Sequence, residues 1–169
     1  MSSNKGLNTI AIVIAIIAIA ISGITLANSN LPEPEPSTQP ISRKIYMNAI
    51  EPKGSTNIDS EPFPTDQLPS GGGYALKEPD QDGKWVVETY IWEPSVIVVY
   101  EGDTVELNIL GINGKLHPSN LERYKESFNV ERGKLTTFSF VADKAGTYRL
   151  SCGIHQPSMN GYLLVLPRV

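Results

Sequence analysis

Histidine and cysteine are scarce in this chain: two of the first and one of the second among 169 residues. A lone cysteine excludes an intrachain disulfide, and with it the stapled scaffold of many small secreted domains. Positive charge is also in short supply, with 14 Lys and Arg against 18 Asp and Glu and no basic stripe anywhere. That argues against nucleic acid as a partner. No internal repeat is present, and beyond the first thirty residues no segment carries a helical hydrophobic period.

Against these absences stands one long apolar run. Leu7 to Ala27 contains no charged side chain, and about 20 such residues suffice to cross a bilayer as a helix. Lys5 is the only nearby side-chain charge, which puts that end in the cytoplasm and the rest of the chain outside the cytoplasmic membrane. A signal peptide cleaved before Asn28 is the competing reading; the run is longer than a usual signal core, which favours a retained single-pass anchor. Residues 1–28 are therefore expected as an anchor. Residues 29–40, within NSNLPEPEPSTQP, are expected as an extended Pro/Glu linker with a reach on the order of 35–40 Å.

Residues 41–169 read as one all-β domain. RKIYMNAI, WVVETYIW, SVIVVY, DTVELNIL, SFNV, LTTFSFV, GTYRLSC and GYLLVLP are short runs rich in β-branched and aromatic residues, separated by Gly and Pro turn signals. In DTVELNIL, the residues Val105, Leu107 and Ile109 share one face, as a half-buried strand requires. About eight such strands at this spacing predict a Greek-key antiparallel β-sandwich. Residues 51–84, rich in Pro, Gly, Asp and Ser, are expected as a loop-rich insertion. GINGKLHPSN reads as a loop, and LERYKE as a single helical turn.

The chemistry concentrates in SCGIHQPSMNG. It holds the sole cysteine, one of the two histidines and one of three methionines, in the order Cys152-x2-His155-x3-Met159. A thiolate, an imidazole and a thioether this close form a soft ligand set, and a His2Cys site with a weak axial Met describes an electron-transfer copper centre. The missing imidazole can come only from His117. Alternation in GTYRLSC puts Cys152 on the inward face with Tyr148 and Leu150. Taken singly, each residue has a blander reading: a buried Cys as a small hydrophobe, a His as a satisfied polar group, a Met as filler. It is their joint placement that points to metal. Asn113 and Ser119 are candidates for hydrogen bonds near the sulfur.

From Trp85 to Pro167 the chain resembles the cupredoxin family, most specifically in AGTYRLSCGIHQPSMNGYLLV, which follows that family's Gly-x-Tyr-x-x-x-Cys-x-x-His…Met-x-Gly pattern. The Cys-x2-His step is similar to plastocyanin and amicyanin. The short His117-to-Cys152 separation and the ADKAG turn look more like nitrosocyanin and the copper-A domains of cytochrome oxidase subunit II. The resemblance implies a cupredoxin-like sandwich holding one type 1 copper ion through His117, Cys152, His155 and Met159. With one cysteine, a bridged pair of coppers is excluded. It further implies an electron carrier rather than an enzyme, with redox proteins, among them a membrane respiratory complex, as partners. Two other functions stand beside it: a single-copper catalytic site of the nitrosocyanin kind, and a copper-carrier or accessory subunit of a membrane oxidase.

Overall fold

A computed structural model describes residues 39–168. The expected span over Leu7–Ala27 and the linker up to residue 38 lie outside the described residues. Among those described, no helix is long and apolar enough to cross a membrane; the secondary structure is all strand. In chain order the strands are β1 (Ser42–Ile50), β2 (Lys53–Asn57), β3 (Tyr74–Lys77), β4 (Lys84–Thr89), β5 (Ile91–Glu93) and β6 (Val96–Tyr100), followed by β7 (Thr104–Gly111), β8 (Leu116–Leu121), β9 (Lys125–Glu131), β10 (Leu135–Val141), β11 (Gly146–Cys152) and β12 (Asn160–Leu166).

Three sheets form: β10-β7-β1-β5, β6-β12-β11-β8-β9, and a small β2-β4-β3. The expectation of a purely antiparallel sandwich needs correction. β1 runs parallel to β7, and β12 parallel to β6, so both larger sheets are mixed. The reason is chain distance: each parallel pair joins strands separated by dozens of residues, enough for the crossover that parallel pairing needs.

The core lies between the two larger sheets, and period-2 patterning builds it. Val105, Leu107 and Ile109 of β7 are at most 1% exposed, as their alternation predicts. Along β6, Ile97 and Val99 are buried while Val96 and Val98 face out. Trp92, Leu121, Val130, Leu150, Leu163 and Val165 complete the interior. Each fully buried aliphatic side chain of this kind contributes about 1.5–3 kcal/mol before chain entropy is counted.

Three local expectations change. The 51–84 segment carries two strands of its own, β2 and β3, which pair with β4 on either side. The run WVVETYIW is divided at Tyr90: β4 serves the small sheet, β5 the four-stranded one. LERYKE forms no helical turn but the tight connection between β8 and β9, with Arg123 at φ 70°. A non-glycine residue there is unfavourable by itself; the Arg123 guanidinium grips both oxygens of Asp143, at 2.9 and 2.7 Å.

Candidate metal centre

The site sits where β8 and β11 meet. His117, expected in a loop, lies instead on β8, whose inward side carries His117, Ser119 and Leu121, all buried. Pro118 disguised this strand in the sequence, since proline cannot donate to a ladder. Here it falls just beyond the β8–β11 pairing, which ends at Ser119 opposite Cys152. Cys152 closes β11, fully buried. The chain then turns through residues 153–158, and His155 comes back over the sulfur, half-buried.

His117 Nδ1 and His155 Nδ1 are 3.0 Å apart; Cys152 Sγ lies 4.0 Å from the first and 3.4 Å from the second. A triangle with these sides has a point about 2 Å from all three atoms, the length of a metal–nitrogen bond and slightly less than a metal–sulfur bond. Among the described residues no carboxylate joins the cluster. The donor set is two imidazoles and one thiol, suited to copper and ill suited to magnesium or calcium. The residues present fit the ion that the sequence implies.

Protonation supports this. His117 Nε2 lies 2.8 Å from the Asn113 carbonyl oxygen, which can only accept, so Nε2 carries the proton. In the neutral ring this tautomer leaves the Nδ1 lone pair aimed at the centre. Burial pulls the His155 imidazole below its ordinary value, and the neighbouring His117 adds to the effect, which favours the neutral ring. Burial pushes the Cys152 thiol up, against the opposing pull of the Ile154 and His155 amides and the neighbouring Ser119 hydroxyl. The thiol is therefore held protonated until a cation displaces the proton.

The surroundings fix these groups. Asn113 and Ser119 both act, though differently from expectation in one case. Asn113 holds His117 through its carbonyl, and its side chain accepts from the Glu51 amide at 3.1 Å. The Ser119 hydroxyl donates to the His117 carbonyl at 3.0 Å beside the sulfur. Gly114, at φ 70°, packs so closely that a Cβ there would lie 2.8 Å from the His117 ring. In the loop, the Gln156 side-chain amide donates to the Cys152 carbonyl at 2.6 Å and its oxygen accepts from Asn160 at 3.0 Å. Met159 is fully buried in the core cluster; its amide donates to the His155 carbonyl and its carbonyl accepts from the Cys152 amide.

Sequence reasoning missed Tyr90. Its ring stacks on His155 with centroids 3.8 Å apart and planes 14° from parallel, and it meets His117 edge-on at 5.7 Å. It also missed Gly71, Gly72 and Gly73, which lie against the ligand loop. Three consecutive glycines were the available signal, because such a run allows one backbone to approach another closely.

No protein-family model and no curated protein sequence matches the chain. Among solved structures, a copper nitrite reductase from Nitrosomonas europaea shares the fold, with a TM-score of 0.50 and 15% identity over 75% of this chain. This chain spans 42% of that protein's length. A heme-copper terminal oxidase dimer aligns over 42% of this chain and 50% of its own, with 17% identity and a TM-score of 0.37. Two mixed sheets, with His117, Cys152 and His155 gathered where β11 ends, give the chain a cupredoxin-like fold.

Proposed function

We propose that the protein is a membrane-anchored, mononuclear type 1 copper protein that passes single electrons between redox partners outside the cytoplasmic membrane. One observation carries this: His117 Nδ1, Cys152 Sγ and His155 Nδ1 surround a common point at bonding distance, with no carboxylate among them. Copper bound there supplies a one-electron couple whose two states share soft sulfur and imidazole ligands.

The chain's own part is to hold those ligands still. His117 is fixed by the Asn113 carbonyl, Cys152 by the β11 ladder, and the loop by Gln156. Ligands held rigidly rearrange little when charge changes, which favours rapid exchange. Met159, fully buried at the end of the same loop, would serve as the weak axial ligand. Two histidines in all leave no imidazoles for a second copper, which favours carrier over multicopper enzyme. The uncharged run Leu7–Ala27 supports the anchor, and the excess of acidic residues favours a basic docking partner.

The test is copper titration of the full chain. An intense thiolate-to-copper absorption and a narrow copper hyperfine splitting in EPR are expected at one equivalent. Saturation at two equivalents, or a spectrum without sulfur charge transfer, overturns the proposal.

A further inference from the structure

We infer that the glycine run Gly71–Gly73, together with Tyr90, forms a built-in cover that fixes the His155 imidazole and limits access to the metal from that side. The inference gives the 51–84 insertion a role. Its positional part holds for the metal-free chain, while its bearing on access to copper rests on the function proposed above.

The contact is backbone against backbone. A Cβ on Gly71 would lie 2.0 Å from the Gln156 carbonyl oxygen, and one on Gly72 would lie 2.4 Å from that of Ile154. On Gly73 it would meet the Ser158 hydroxyl at 2.3 Å. No side chain fits at any of the three. Two hydrogen bonds fasten the strap: the Gly73 amide donates to the Gln156 carbonyl at 3.1 Å, and the Ser158 hydroxyl donates to the Gly73 carbonyl at 2.8 Å.

The strap and the aromatic ring work on different sides of one imidazole. Nδ1 of His155 faces the cysteine sulfur. On the far edge of the ring, Cδ2 lies 3.6 Å from where a Gly72 Cβ would stand. The ring's flat face is covered by Tyr90. The two covers are tied together, because the Tyr90 amide donates to the Gly73 carbonyl at 2.9 Å. Tyr90 is itself anchored: its hydroxyl bonds the carboxylate of Glu51, which is nearly buried and paired with Lys53 at 3.0 Å. The Glu51 amide in turn bonds Asn113, the residue that holds His117. One chain of contacts thus reaches both imidazoles from the insertion side.

The consequence is selectivity by access. A redox partner approaching His155 meets a rim of glycine backbone beside the exposed Ile154, not a bare imidazole edge. The stacked tyrosine closes one face of the imidazole to a small anion. The cover therefore separates outer-sphere electron exchange from direct ligation of the metal.

The test uses the full chain with Gly72→Ala, Tyr90→Leu and Tyr90→Phe. In the copper-free protein, carbethoxylation of each histidine by diethyl pyrocarbonate is followed by mass spectrometry, with the buried His117 as internal control. Gly72→Ala and Tyr90→Leu are expected to raise the His155 rate, and Tyr90→Phe, which keeps the stacked ring and loses only the Glu51 bond, to raise it less. In the copper-loaded protein, the same two variants are expected to show an azide-induced change in the absorption spectrum that the parent lacks. Unchanged His155 labelling in both Gly72→Ala and Tyr90→Leu overturns the cover. If the two replacements unfold the domain, Ser158→Ala removes only the hydroxyl bond to the strap; a labelling rate equal to the parent then overturns it as well. Labelling that changes as expected in a chain that never develops a copper–thiolate band supports the cover and sinks the copper reading instead.

Discussion

Two polar clusters are buried at opposite ends of β7, and they are finished to different degrees. Before β7, the carboxylate of Asp103 is fully buried and completely satisfied. It pairs with Arg43 and Arg168 and accepts from the amides of Ile41 at 3.1 Å and Tyr100 at 3.0 Å. Both guanidiniums also lie over the Tyr100 ring. Burial alone would push this carboxyl up, but Arg43 and the two amides outweigh it and hold it below its ordinary value. At the other end, His117, Cys152 and His155 converge nitrogens and a thiol on one another with no carboxylate among them. A buried charge that is paired makes a structural knot. Buried donors aimed at one common point make a site that a cation would complete.

Breaking the sulfur ligand tests the comparison most severely. Cys152→Ser is expected to abolish the charge-transfer absorption of the copper-loaded chain while leaving the Asp103 cluster, and the far-ultraviolet circular dichroism, intact. Retention of the band would mean the sulfur is not a ligand.

Next in size is the metal itself. Stripping copper with a chelator should cost about 4 kcal/mol of unfolding free energy if loading is done at 1,000 times the dissociation constant. Urea titrations of the loaded and stripped protein would measure it, and equal midpoints would refute a completed site.

At the opposite end, Asp103→Ala leaves two guanidiniums without their partner and should cost about 3 kcal/mol. The loss should be the same with and without copper, since distant sites add. The pH dependence has a definite sign. Because the folded carboxyl titrates below its ordinary value of 3.8, the knot's contribution is complete above that pH and is lost as pH falls through the lowered folded value. Acid titration of stability should show this step in the parent and not in Asp103→Ala.

The smallest expected effect is at the axial position. Met159→Gln should lower the reduction potential and alter the EPR pattern with the blue absorption retained. An unchanged potential would assign the axial place to another group.

The difference between these two ends also explains what the sequence disclosed. The metal-type residues were legible because their side chains are rare: one Cys and two His leave little choice. The sandwich was legible wherever one face is buried, as in Val105, Leu107 and Ile109. His117's strand was hidden by Pro118 and the glycine- and asparagine-rich approach, since local turn chemistry competes with pairings that β9 and the distant β11 supply. Parallel pairing of β1 with β7 was illegible for a related reason, because strand direction is set by tertiary contacts and leaves no mark in the period. The Asp103 knot was invisible: its partners stand 60 and 65 residues away. Tyr90 resembled its aromatic strand neighbours until the fold put His155 against it.

That knot has a further consequence for the connectivity of the domain. Ile41 and Arg43, at the start of β1, and Arg168, just after β12, all meet at Asp103. The start of the first strand and the end of the last are side by side, at the other end of β7 from His117, Cys152 and His155. The domain is thus suited to circular permutation: residues 41 and 168 could be bridged by a short flexible peptide, and new termini opened in the exposed turn at Glu122–Arg123 between β8 and β9, without cutting any segment that carries a ligand.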